Sequence, residues 1–200
     1  MPVTDQELVR RCLRGETEPF GTLYDRYAPR IHGLLQRLSG NPTQAEDLTQ
    51  ETFVAAYGAL ASWQGRGPFN AWLYGIALRL YRKSLRKPCP VDMETYEMDH
   101  LAAPNADPLD VLTRDELEQA IERAIAALPE HYREVFVLLR IEGCSQREAA
   151  QMLDIPIGTV QSRLGRAVSK LRSRLMGEGM VRDDGEIEKG GADHAVQFRA

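Results

Sequence analysis

Apolar residues recur along the chain at steps of three and four and nowhere in sustained alternation, so the pattern predicts helices and no sheet. Thr4-Asp5-Gln6-Glu7 has the spacing of a capping box ahead of Leu8, Val9, Cys12 and Leu13, with Gly15 as the stop. The strongest stripe is Phe20, Leu23, Tyr24, Tyr27, Ile31, Leu34, Leu35 and Leu38, a long amphipathic helix that Pro29 should kink and Gly40 should end. Thr43-Gln44-Ala45-Glu46 predicts a second capping box, opening a helix to about Ser62. That helix buries Leu48, Phe53, Ala56, Tyr57 and Leu60 and turns Asp47, Gln50 and Glu51 to the opposite side. After a turn at 64–68, a fourth helix to about Arg86 puts Phe69, Leu73, Ile76, Ala77 and Leu80 on one face. Trp72, Arg79, Arg82, Lys83 and Arg86 share another.

The helical pattern breaks over residues 87–108, where Pro88, Pro90, Pro104 and Pro108 lie among acids, and this reads as a linker. Helix resumes near Leu109–Ala127. Pro129 opens the next one, with Tyr132, Val135, Phe136 and Leu139 as its stripe and Gly143 as its stop. Ser145-Gln146-Arg147-Glu148 is a third capping box, before a short helix with Ala149, Ala150, Met152 and Leu153. Beyond Pro156 a longer helix carries Val160, Leu164, Ala167, Val168, Leu171 and Leu175 on its apolar face. The predicted fold is all-α: two small helical domains, 1–87 and 109–176, joined by a Pro-rich acidic linker at 88–108. Residues 177–200, rich in Gly and charge, read as a disordered tail.

Composition narrows the class. The 200 residues are 43% hydrophobic and 27% charged, ordinary for a globular chain. No apolar run is long enough to cross a bilayer, and the N-terminus has no apolar signal core. Three cysteines without metal-ligand spacing suit a reducing cytosol, so a cytoplasmic location is expected. The net charge of −4 hides segregation: residues 64–88 are +6, 89–130 are −9, 145–176 are +4 and 177–200 are −3. Two basic blocks around an acidic one suggest two surfaces that face polyanions. The acidic segment is expected to lie against a basic face in the free chain.

The short helix, tight turn and longer helix of residues 145–176 have the form of a helix-turn-helix. Its second helix can enter a major groove with Thr159, Gln161, Ser162, Arg163 and Arg166 toward the bases and Lys170 toward phosphates. The sequences Ala45-Glu46-Asp47-Leu48-Thr49-Gln50-Glu51-Thr52-Phe53 and Phe69-Asn70-Ala71-Trp72-Leu73-Tyr74-Gly75-Ile76-Ala77, with Gly158-Thr159-Val160-Gln161-Ser162-Arg163-Leu164 and Arg166-Ala167, together resemble one family. It is the extracytoplasmic-function group of the bacterial sigma-70 family of RNA polymerase sigma factors. The resemblance covers about residues 5–176. It implies that residues 1–87 form region 2, which melts and reads the −10 promoter element, and residues 109–176 form region 4, which reads the −35 element. It also implies that Asp47, Gln50 and Glu51 dock on core RNA polymerase. Trp72, Arg79, Arg82, Lys83 and Arg86 would then hold melted −10 DNA, combining cations for phosphates with an aromatic for unstacked bases. Where Arg79 stands, this family often has Asn, so the preferred −10 sequence is expected to differ. The implied partners are core polymerase, promoter DNA and an anti-sigma factor.

Enzyme chemistry finds little support. His32, His100, His131 and His194 are far apart, with no Glu-x-x-His or His-x-x-x-His spacing, and no phosphate-binding Gly loop or nucleophile elbow occurs. No metal, cofactor or small-molecule substrate is expected. A polymerase-independent regulator with a sensing first domain is the alternative. A receiver-type domain would show strand–helix alternation, and residues 1–87 show helices only.

Overall fold

Helix accounts for all regular secondary structure in the computed structural model, which describes residues 3–65, 67–86 and 114–177. The N-terminal bundle consists of α1 (Asp5–Leu13), α2 (Glu18–Ser39), α3 (Pro42–Gly58), a 3-10 turn (Leu60–Ser62) and α4 (Phe69–Arg86). The C-terminal bundle consists of α5 (Arg114–Ala126), α6 (Glu130–Phe136) continued by a π turn (Val137–Ile141), α7 (Gln146–Leu153) and α8 (Ile157–Gly177). The expected linker at 88–108, with its acids, and nearly all of the expected tail at 177–200 lie outside the described residues.

In the N-terminal bundle α2 is the centre, packed by α1, α3 and α4. Leu23, Ile31, Leu34, Leu35 and Leu38 are buried along it, as the period-3.6 stripe requires. Pro29 lies inside α2 without ending it. Gly40, at φ +66°, closes it by donating its N–H to the Gln36 carbonyl at 2.8 Å. The start of α3 differs from the expected capping box. Asn41 accepts from the Gln44 N–H at 3.1 Å, and Pro42 opens the helix, since its fixed φ suits the first turn and it has no N–H to satisfy. Helix α3 ends at Gly58, four residues before Ser62.

Two aromatics expected in the core are not there. Tyr57 is 50% exposed, and Tyr24 is also exposed. Their rings pack edge-on against Phe20 and Phe53 respectively, at the rim of the α2–α3 contact. Conversely, α4 buries more than its predicted face: Tyr74, Leu78 and Tyr81 are buried beside Phe69, Leu73, Ile76 and Ala77.

Tyr81 donates to the Leu38 carbonyl of α2 within its own bundle at 2.8 Å, whereas Tyr74 reaches Glu142 of the other: α4 packs on α7, and α2 packs on α5 and α6, so the two bundles share an interface. Within the C-terminal bundle α8 is the spine, contacted by α5, α6 and α7, with Val160, Ala167, Leu171 and Leu175 buried. The turn between α7 and α8 puts Asp154 at φ +53°, a left-handed geometry that Asp tolerates better than most residues.

Candidate nucleic-acid interface

The geometry of the α7–α8 unit is set at its start. Ser145 accepts from the Glu148 N–H at 3.2 Å, while the Glu148 carboxylate accepts from the Ser145 N–H at 2.8 Å. Both halves of the predicted capping box are therefore present. The small Ala149 and Ala150 are buried, which lets α7 approach α8 closely. Helix α8 begins at Ile157, and the Pro156 carbonyl accepts from the N–H groups of Thr159 and Val160. With its apolar stripe inward, α8 exposes Gln161, Ser162, Arg166 and Lys170, and half-buries Thr159 and Arg163. Gln161 also donates to Gln146 of α7 at 2.9 Å, tying the first turn of α8 to the helix before it. All six residues expected at the −35 element lie on this one helix, on the sides away from its buried stripe.

The predicted −10 set is gathered on α4 but is not uniform. Arg79, Lys83 and Arg86 are exposed; Trp72 and Arg82 are half-buried. Trp72 rests against Phe69, one turn back on the same helix, with ring centroids 5.3 Å apart. Arg79 donates from Nε to the Gly75 carbonyl one turn back. Trp72, Arg79 and Arg82 line an open groove of about 1020 Å³ between α4 and α7, whose far wall includes Arg147 and Gln151.

Arg82 has partners from the other bundle. Its Nε and Nη2 each donate 2.7 Å to the two carboxylate oxygens of Glu134, and Nη1 donates to the Leu153 carbonyl at 3.3 Å. Hydrogen bonding to Glu134 holds the guanidinium proton more firmly than usual. Tyr74 donates its hydroxyl to Glu142, and burial beside that carboxylate pushes the phenol well above its ordinary range. Arg133 donates to the Leu38 carbonyl at the end of α2 at 2.6 Å, and to the carbonyls of Ala126 and Leu128.

The three residues expected to meet polymerase lie together on one helix. Asp47, Gln50 and Glu51 are all exposed on α3. Beside them Val54, 76% exposed, and Tyr57 border a shallow hollow of about 370 Å³ lined by Phe20, Tyr24, Gln50 and Phe53. An acidic edge next to exposed apolar groups suits a protein partner better than a nucleic acid.

The inter-bundle residues Tyr74, Glu134 and Glu142 were not legible as a site. Glu134 did carry a signal. It sits in the run Glu134-Val135-Phe136-Val137-Leu138 with no Lys or Arg three or four residues away, so its partner had to be distant. Among the described residues no group of three or more His, Cys, Asp and Glu could hold a metal ion, and no helix is long and apolar enough to cross a membrane.

Comparison with known proteins agrees with this architecture. Residues 23–88 match the family model for sigma-70 region 2, and residues 118–171 match that for sigma-70 region 4. The chain is 36% identical over 172 residues to the RNA polymerase sigma-H factor of Pseudomonas aeruginosa, covering 82% of this chain and 89% of that one. It is 35% identical over 184 residues to the ECF RNA polymerase sigma-E factor of Escherichia coli K12, covering 86% and 95%. Among solved structures, CnrH in complex with the cytosolic domain of CnrY superposes with a TM-score of 0.64 at 28% identity, covering 87% of this chain and 98% of that one. With both regions matched in order and relatives aligned over most of their length, the chain belongs to the extracytoplasmic-function group of the sigma-70 family, the RNA polymerase sigma factors.

Proposed function

We propose that this sigma factor divides its work among three surfaces and has no catalytic residue of its own. Region 2, taken as residues 1–87, docks on core RNA polymerase through Asp47, Gln50 and Glu51 and traps melted −10 DNA through Trp72, Arg79, Arg82, Lys83 and Arg86. Region 4, taken as 109–176, reads −35 duplex through Thr159, Gln161, Ser162, Arg163 and Arg166, with Lys170 on the backbone. Residues 88–108 join the two regions, and 177–200 follow as a tail. The protein works in the cytoplasm with core polymerase and promoter DNA, and an anti-sigma factor is its expected antagonist, as CnrY and the anti-sigma factor NepR are partners in the solved complexes of similar fold.

The observation that carries this reading is the capped α7–α8 unit, with the basic side of α8 turned away from its core. The N-terminal turns of such a helix meet base edges, while residues further along meet phosphates. The acidic α3 surface supports a separate protein contact, because it would repel DNA. Its exposed Val54 and Tyr57 add the apolar centre that tight interfaces use.

The test is selection of promoter fragments from a genomic library by the purified chain, with and without core polymerase. Selection only in the presence of core supports the reading; equal selection without core favours a polymerase-independent regulator. Asp47→Ala with Glu51→Ala should weaken capture of core polymerase with unchanged circular dichroism, since neither side chain is buried. Tyr57→Ala should weaken it by about 2 kcal/mol if the ring is a hot spot. Full capture by both variants would remove α3 from the docking surface.

A further inference from the structure

Arg82 stands on the basic side of α4, yet its guanidinium is occupied. Glu134 takes two of its N–H groups at 2.7 Å each, and the Leu153 carbonyl takes a third. Two parallel bonds from one guanidinium to two oxygens are also how an arginine grips a phosphate. Glu134 is only 2% exposed. A buried carboxylate holds its partner strongly, because removing that partner strands a charge away from water. The contact does not stand alone. Tyr74, two turns before Arg82 on α4, binds Glu142, and Arg133, adjacent to Glu134, binds the end of α2. Three ties therefore join region 2 to region 4 around one buried ion pair.

This arrangement is incompatible with promoter binding by both regions at once. Leu153 ends α7, so Arg82 lies within a hydrogen bond of the turn that leads into α8. Promoter elements centred about 25 base pairs apart are separated by about 85 Å of duplex at 3.4 Å per step. The chain between Arg86 and Arg114 reaches up to roughly 90 Å when fully extended, so the regions have enough chain to part.

We infer that Glu134 acts as an internal substitute for DNA phosphate, latching region 4 onto α4 in the free chain and withholding Arg82 from DNA until polymerase separates the two regions. The inference rests on the proposed role of α4 as the −10-facing helix, and the test separates the two ideas.

Nitroxide labels at Thr22 and Ser169, both exposed, report the distance between regions in the full chain, with Cys12 and Cys89 replaced by Ser and the buried Cys144 kept. The free wild-type chain should give one short distance, and its complex with core polymerase a long one. Glu134→Gln and Arg82→Gln should each move roughly half or more of the free chains to the long distance, and the double variant should open no further. Arg82→Gln breaks the pair from its half-exposed side, so the test survives a folding defect in Glu134→Gln. A long distance in free wild-type chain, or short distances in both folded variants, would overturn the latch. A fluorescent oligothymidylate at low salt then tests the arginine. Glu134→Gln should bind it about five-fold more tightly than wild type, and Arg82→Gln should show no gain. Opening without any gain in Glu134→Gln would leave the latch standing and count against α4 as the DNA-facing helix and Glu134 as the phosphate substitute.

Discussion

Arg163, Arg166 and Lys170 follow one another along α8 but differ in what they can reach. The two arginines lie in the second and third turns, where a recognition helix is still close to base edges; Lys170 lies a turn beyond. Arg163→Ala or Arg166→Ala should cost about 1–3 kcal/mol of −35 discrimination if a bidentate base contact is lost, measured as the affinity ratio between cognate and scrambled promoters. Lys170→Ala should weaken all sequences alike and lower the salt slope by about one. Unchanged selection by both arginine variants would remove α8 from the major groove. A different residue-scale outcome follows from burial. The Cys144 thiol is pushed from 9.0 up to about 12 by desolvation, and the Tyr81 phenol from 10.0 up to about 12 for the same reason. Above pH 9 the unfolded chain releases these protons while the folded chain keeps them. Their contribution to stability is therefore full below about pH 9 and lost as pH rises toward 12. Urea midpoints should be level from pH 7 to 9 and fall at pH 10.5. Cys144→Ala should remove the part of the fall that begins nearest pH 9.

Helix α7 has only eight residues, too few to be stable in isolation, so its caps and its packing decide whether it forms. Ser145 satisfies one N-terminal N–H and is itself bound by Glu148. Ser145→Ala should cost about 1 kcal/mol in denaturant unfolding and weaken −35 binding alongside, because α7 supports α8. Helix α4 presents the opposite case, a long element whose residues have divided duties. Phe69 and Leu73 hold it to its own bundle, Tyr74 and Arg82 reach the other, and Trp72 and Arg79 line the open groove between α4 and α7. Replacing Trp72 or Arg79 should therefore reduce permanganate reactivity on a duplex promoter more than binding to a pre-melted one, because unstacking bases needs contacts that pre-melted DNA does not. Equal loss on both templates would make these residues supports of the fold.

At the scale of the molecule, α2 connects everything. It packs on α1, α3 and α4 and also on α5 and α6 of the other region. Leu35, toward its C-terminal end, is wholly buried, and Leu35→Ala should cost about 2–5 kcal/mol by equilibrium unfolding, against less than about 0.5 kcal/mol for an exposed change such as Ser169→Ala. Charge follows the same division of labour. The basic blocks at 64–88 and 145–176 supply α4 and α8, the two proposed DNA surfaces, while α3 keeps an acidic face. Segregation of this kind lets one chain of net charge −4 serve both a polyanion and a protein partner.

The sequence alone determined the helices, their inward faces and the three outward surfaces, because each depends on neighbours three or four residues away. The α2 stripe, the Ser145–Glu148 box and the spread of Asp47, Gln50 and Glu51 along α3 are all local in this sense. Local chemistry also chose between caps in ways the pattern missed: Asn41 and Pro42 start α3 although Thr43 had the expected spacing. What periodicity could not decide was which side of a helix with two apolar faces meets a second bundle. Tyr74 and Leu78 are buried, and Tyr57 exposed, according to where other elements lie. The pairing of Arg82 with Glu134 joins residues 52 positions apart, and no spacing rule spans that interval. Only the packing of α4 on α7 and of α2 on α5 and α6 brings them together: a buried carboxylate is stabilised by a cation within hydrogen-bond reach, no Lys or Arg stands three or four residues from Glu134, and the adjacent Arg133 is bound to the carbonyls of Leu38, Ala126 and Leu128.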